Sequence, residues 1–172
     1  MSEETFLELI ARAGITRDEA REAARATVRT LAERISAGEA MDLAAFLPGE
    51  FREILESAQQ TAEPFVANEF VHRVAAREGS DGETAIRHVR AVFGALGQAV
   101  SLDALSNLAA QLSRDFDPLL EVARRRGDWA TATARGAGHQ VRVAGDSAGE
   151  TGSGSHAGTT RAADLGSRNR GS

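Results

Sequence analysis

The phrase "LAAFLPGEF" at residues 43–51 returns as "LAAQLSRDF" at 108–116, with Leu, Ala, Ala, Leu and Phe unmoved. Adding 65 to a residue number carries Gly14 to Gly79, Ala20 to Ala85, Arg25 to Arg90, Leu31 to Leu96, Ser36 to Ser101, Leu47 to Leu112, Phe51 to Phe116 and Leu55 to Leu120. Before the glycines the offset is 64, pairing Phe6 with Phe70 and Ala11 with Ala75; one inserted residue in "AAREG" against "ARAG" explains the change. An internal duplication constrains the fold strongly, because whatever apolar pattern the first copy buries, the second must bury also.

Each copy reads as short helices. "FLELIARAG" sets Phe6, Leu7, Ile10 and Ala13 at helical spacing and stops at Gly14, since glycine takes the left-handed conformation cheaply. Thr16 followed by Glu19 has the form of a capping box, and Ser80 with Glu83 is expected to repeat it. From Ala20 the positions 20, 24, 27, 28, 31 and 35 form one stripe, matched by Ala85, Val89, Val92, Phe93, Leu96 and Val100. Ser36 and Glu39 suggest a third start, for a helix running to Leu47, because the residue before Pro48 is pushed out of helical geometry. A fourth short helix then carries Phe51, Ile54 and Leu55, and Ser113 is expected to cap the matching corner of the second copy. "QQTAEPFVANEF" around Pro64 reads as a short linker.

After Arg126 the pattern ends. Residues 130–172 are mostly Gly, Ala, Ser, Thr and Arg, with little apolar bulk to offset the entropy of ordering. The expected architecture is therefore an all-α protein of about eight short helices in two tandem pseudo-repeats, 1–62 and 63–126, forming one helical, bundle-like domain. A disordered tail, 127–172, is expected to follow.

The phrases "FLELIARAGITRDEAREAARATVRTLAERISAGEAMDLAAFLPGEFREIL" and "FVHRVAAREGSDGETAIRHVRAVFGALGQAVSLDALSNLAAQLSRDFDPLL" resemble the domain of unknown function 2267 family of bacterial and archaeal proteins. The resemblance covers residues 6 to 123 and implies an all-helical, two-copy domain without an established activity. No functional residue carries over from it. The chain departs from the family's pattern at Ser113, where proline is expected, and in its tail.

Composition narrows the chemistry. The chain has no cysteine, which removes disulfides, thiolate metal sites and cysteine nucleophiles. All 20 basic residues are arginine, so no lysine is present for a Schiff base or a phosphate loop. Residues 127–172 hold four carboxylates against five arginines, so residues 1–126 carry −6 of the formal −5, a balance that disfavours nucleic acid and anionic membranes. No uninterrupted apolar run approaches the length of a membrane span and "MSEETF" lacks a signal-peptide pattern, so a cytoplasmic, soluble chain is expected.

Two tail motifs imitate catalytic or cofactor signatures. "GDSAG" at 145–149 has the spacing of a nucleophile elbow and "GSGSHAG" that of a dinucleotide loop, but neither has the strand and helix such a site needs. His72 and His88 have Glu8 and Ala23 as counterparts, so they form no repeated constellation, and a metal site would need Glu69 or Glu83 to converge on them. No cofactor is expected.

The remaining candidates are basic. Arg21, Arg25 and Arg29 stand at i, i+4 and i+8, a ridge able to meet an acidic peptide or a phosphate backbone. Asp18 and Glu22 lie three residues before Arg21 and Arg25 and are expected to pair with them instead. Arg25 and Arg90 occupy the same flank in both copies, which suggests a structural partner for each or an acidic ligand. "ARRRG" at 123–127 fits favourable placement at a helix C-terminus.

Arg21, Arg25, Arg29 and Arg90 are therefore the candidate partner-binding residues of a non-enzymatic protein-binding or scaffold module. The partner is expected to be protein, with a second copy of the chain as one option and no membrane. A nucleic-acid-binding regulator is the alternative, and an enzyme with a site between the repeats comes last.

Overall fold

Glycine or proline marks some breaks between helices, at Gly14, Pro48, Pro64 and Gly79, and serine caps at Ser36 and Ser101 mark others. The structure is a computed structural model that describes residues 1–58 and 61–125, and every regular element among these residues is helical: α1 (Glu3–Ala11), α2 (Arg17–Arg34), α3 (Ala37–Ala44), α4 (Gly49–Glu56), α5 (Ala67–Glu78), α6 (Gly82–Ala99), α7 (Leu102–Gln111), a 3₁₀ turn (Arg114–Phe116) and α8 (Asp117–Arg124). These residues lie within one compact unit, Met1–His139. The expected tail, "GDSAG", "GSGSHAG" and the second unit, Gln140–Ser172, lie outside the described residues.

Local chemistry accounts for most boundaries. Thr16 caps α2 through a complete capping box: its Oγ1 accepts from the Glu19 amide and Glu19 accepts from the Thr16 amide. In α6 the expected box of Ser80 and Glu83 is absent. Asp81 is the cap, accepting from the Thr84 amide at 2.7 Å, because the offset of 65 that relates the long helices sends Thr16 to Asp81 and Glu19 to Thr84. The acceptor survives the change and the reciprocal glutamate is lost. Gly79 ends α5 with φ +68°, where a Cβ would be strained.

Two further expectations are corrected. Helix α3 ends at Ala44 rather than Leu47, because the Phe46 and Leu47 amides bond to the Leu43 and Ala44 carbonyls and tighten the last turn before Pro48. Ser113 makes no side-chain cap on the matching corner; Pro118 stands in the first turn of α8. The short segment before α5 is packed on the body: Phe65 is buried, its carbonyl accepts from Nε of Arg34 at 2.8 Å, and the Glu63 amide bonds to the Glu33 carbonyl.

The stripes expected on α2 and α6 are buried throughout. These two 18-residue helices form the centre: α2 packs on α1, α4, α5 and α6, while α6 packs on α8, α5, α2 and α1. The first helix of each half thus also lies on the long helix of the other half, and the buried side chains form a single cluster. Phe51, Leu55, Phe116 and Leu120 are all at most 1% exposed. Phe6 meets Phe51 at 5.3 Å between ring centroids, and their counterparts Phe70 and Phe116 meet edge to face at 5.5 Å.

Candidate functional site

Matching positions of the two halves carry different chemistry on the face built by the first, second and fourth helices. In the first half that face is closed by ion pairs. Arg21 on α2 reaches Glu3 at 3.1 Å and lies 3.7 Å from Glu50, while Nε of Arg25 reaches Glu50 at 2.5 Å and its Nη1 reaches Glu22 at 3.2 Å. Glu3 comes from α1 and Glu50 from α4, so the arginines of α2 bind three helices together. Only the Glu22 pair was expected; among the described residues Asp18 makes no ion pair, and Arg21 turns to Glu3 and Glu50 instead. Glu50, foremost by its hydrogen bond, holds the Arg25 guanidinium more firmly in its charged form.

The second half keeps Arg25 as Arg90 but changes several of its neighbours. Counterparts of Glu3, Arg21, Glu53 and Ile54 are Ala67, Ile86, Pro118 and Leu119. The result is an open groove of about 910 Å³ between α5, α6 and α8, with Val71, Ala75, Ile86 and Leu119 among its walls. Leu119 is buried and Ile86 is half-buried.

Arg90 stands exposed in this groove at the position of Arg25. Its guanidinium has no hydrogen-bond or ion-pair partner among the described residues, so the expected structural partner is missing. Asp115, the counterpart of Glu50, is one methylene shorter and is engaged elsewhere, accepting from the Ala67 amide at the start of α5. A hydrogen bond with the Ser113 side chain, then the one from Ala67, hold the Asp115 carboxyl below the usual carboxylate range. Glu69, also on the groove, is bound by Arg73 at 3.0 Å.

A second cleft, about 540 Å³, lies between α2, α4 and the end of α5. It is lined by Arg25, Arg29 and Arg77 with Glu22, Glu50 and Glu53. Arg29 is exposed and, alone of the expected ridge, has no ion pair among the described residues. Arg77 is drawn off to Glu33 and to Thr30 Oγ1 at 2.6 Å.

The histidines do not converge. His72 is exposed on the groove, whereas His88 is buried with Nδ1 3.1 and 3.2 Å from the two Glu78 carboxylate oxygens. Its partner is Glu78, and not Glu69 or Glu83, one of which a metal site would have required. No cluster of three potential metal-ligating side chains occurs among the described residues, and no helix there is long and apolar enough to cross a membrane.

A model of the family described as "Uncharacterized conserved protein (DUF2267)" matches residues 3–119, which takes in both halves of the helical body. The chain belongs to this family. No curated protein matches it. In this DUF2267 chain the groove residues Val71, Ile86 and Leu119 were not singled out by sequence reading. Comparing the copies for differences rather than identities exposes Ile86, which replaces Arg21, whereas Val71 and Leu119 replace the apolar Leu7 and Ile54 and give no such signal.

Proposed function

We propose that this chain is a non-enzymatic protein-binding module of the cytoplasm, and that its binding surface is the groove between α5, α6 and α8. The observation that carries the reading is the asymmetry of the halves. One face is bridged by the ion pairs of Arg21 and Arg25 with Glu3 and Glu50, while the matching face presents the half-buried Ile86 and Val71 around an open trough. An apolar trough flanked by polar side chains suits a protein segment, for which burial of apolar area supplies the affinity. The pairing of Arg21 and Arg25 with carboxylates supports a protein partner over nucleic acid, because neutralised arginines have little charge left for phosphates.

The test is to pan a library of random 16-residue peptides over the full chain and over Ile86→Arg, which gives the groove the arginine of the first half. Peptides that bind the parent and are lost on the variant, with helical content unchanged, are expected. Binders indifferent to Ile86→Arg, or none at all on the parent, would refute the assignment.

A further inference from the structure

Resting on that reading, we infer that the groove takes an amphipathic helix of a partner protein whose apolar face carries one carboxylate, and that Arg90 is the residue that receives it. The inference stands on charge complementarity. Arg25, at the matching place, has its charge satisfied by Glu50 across the first-half face. At Arg90 the counterpart acid has been shortened to Asp115 and spent on the Ala67 amide, and the other acid on the groove, Glu69, is held by Arg73. An uncommitted guanidinium is thereby left beside an uncovered apolar trough.

The shape selects the occupant. Three helices wall the groove, and a helix laid between helices seats side chains at i, i+3, i+4 and i+7 along such a trough. The half-buried Ile86 and Val71 supply the apolar contacts, with the buried Leu119 beneath them. Arg90, with its planar fork of donors, receives a carboxylate in two parallel hydrogen bonds, a geometry that a glutamine in the helix cannot match.

The experiment uses peptides selected on the full chain, each made with its acidic residue intact, changed to glutamine, or changed to lysine. The acidic form is expected to bind about tenfold or more tightly than the glutamine form, the ratio that one charge-assisted contact supplies. Arg90→Gln should abolish that difference without changing the melting temperature. Arg90→Glu should reject the acidic peptide and accept the lysine one, an exchange that a purely structural role for Arg90 cannot produce.

The outcomes separate cleanly. Groove binders that ignore the acid, or an Arg90→Glu variant that still prefers it, overturn the carboxylate inference and leave the groove standing. Peptides insensitive to Ile86→Arg overturn both. A concentration-dependent dimer of the parent that disappears in Ile86→Arg would make the occupant a second copy and also refute the inference.

Discussion

Four carboxylates show how position sets the sign of a contribution. Glu19, Asp81 and Asp115 are lowered by hydrogen bonds, led by the Thr16 side chain, the Thr84 amide and the Ser113 side chain respectively. Their stabilisation is present above the ordinary carboxylate range and is lost as pH falls through their depressed values. Glu39 runs the other way: burial first, then Asp42, raises it, and its Oε1 has no hydrogen-bond partner among the described residues. Its charged form therefore opposes folding above its raised value, and the penalty vanishes when both folded and unfolded states are protonated. Glu39→Gln is expected to raise the melting temperature at neutral pH and to match the parent in acid; equal melts at neutral pH would sink this account. Asp81→Ala should destabilise at neutral pH and converge on the parent as pH falls. Arg25→Gln should lower the melting temperature more than Arg90→Gln, because only Arg25 has a carboxylate to lose; reversed or equal effects would contradict the geometry.

Among elements, the pairing of α6 with α8 depends on a single missing methyl group. A Cβ added to Gly97 would collide with the carbonyl of Ala123, so the helices meet through backbone atoms. The first half has Ala32 at that position, and its corresponding helices need no such approach. Gly97→Ala should cost about 1–3 kcal/mol, as overpacking does, and should also disturb the groove, because Leu119 rides on α8. Calorimetric melts indistinguishable from the parent would show that α8 slides without cost. The ring pairs form a second joint. Removing either Phe51 or Phe116 leaves a cavity in a closed core, with an expected cost of about 3–5 kcal/mol in denaturant unfolding. A clamp joins α2 to α5, where Glu33 takes both Arg73 and Arg77 and the Arg73 guanidinium stacks 4.1 Å over Phe65.

For the whole molecule, acidic charge and internal pairing act together. Residues 1–126 carry −6, and Arg21 and Arg25 are already neutralised by acids from α1, α2 and α4. Phosphate binding gains from counterion release only when free cations gather on one face. Fluorescence titration with duplex DNA is therefore expected to show no binding at physiological salt. Micromolar binding that collapses with added salt and is lost in the Arg21/Arg25/Arg29→Gln triple variant would favour a nucleic-acid regulator instead.

What the chain's own order of residues determined is local. Helix positions, the Thr16–Glu19 box and the buried stripes of α2 and α6 follow from groups within one or two turns of each other, and the aligned phrases located Phe51 and Phe116 in the core. The cap at Asp81 is legible too, because the offset of 65 carries Thr16 to Asp81. Only tertiary structure decided the rest, because those contacts join residues far apart in the chain. Arg34 bonds the carbonyls of Phe65 and Gln111, the latter 77 positions away, and Ser36 takes the reciprocal half of its cap from Gln111 rather than Glu39. The groove belongs to the same class. Two similar copies suggest similar faces, and the difference arises where a few changed side chains meet across helices: arginine and glutamate close one face, while isoleucine, alanine and an aspartate turned toward the Ala67 amide leave the other open.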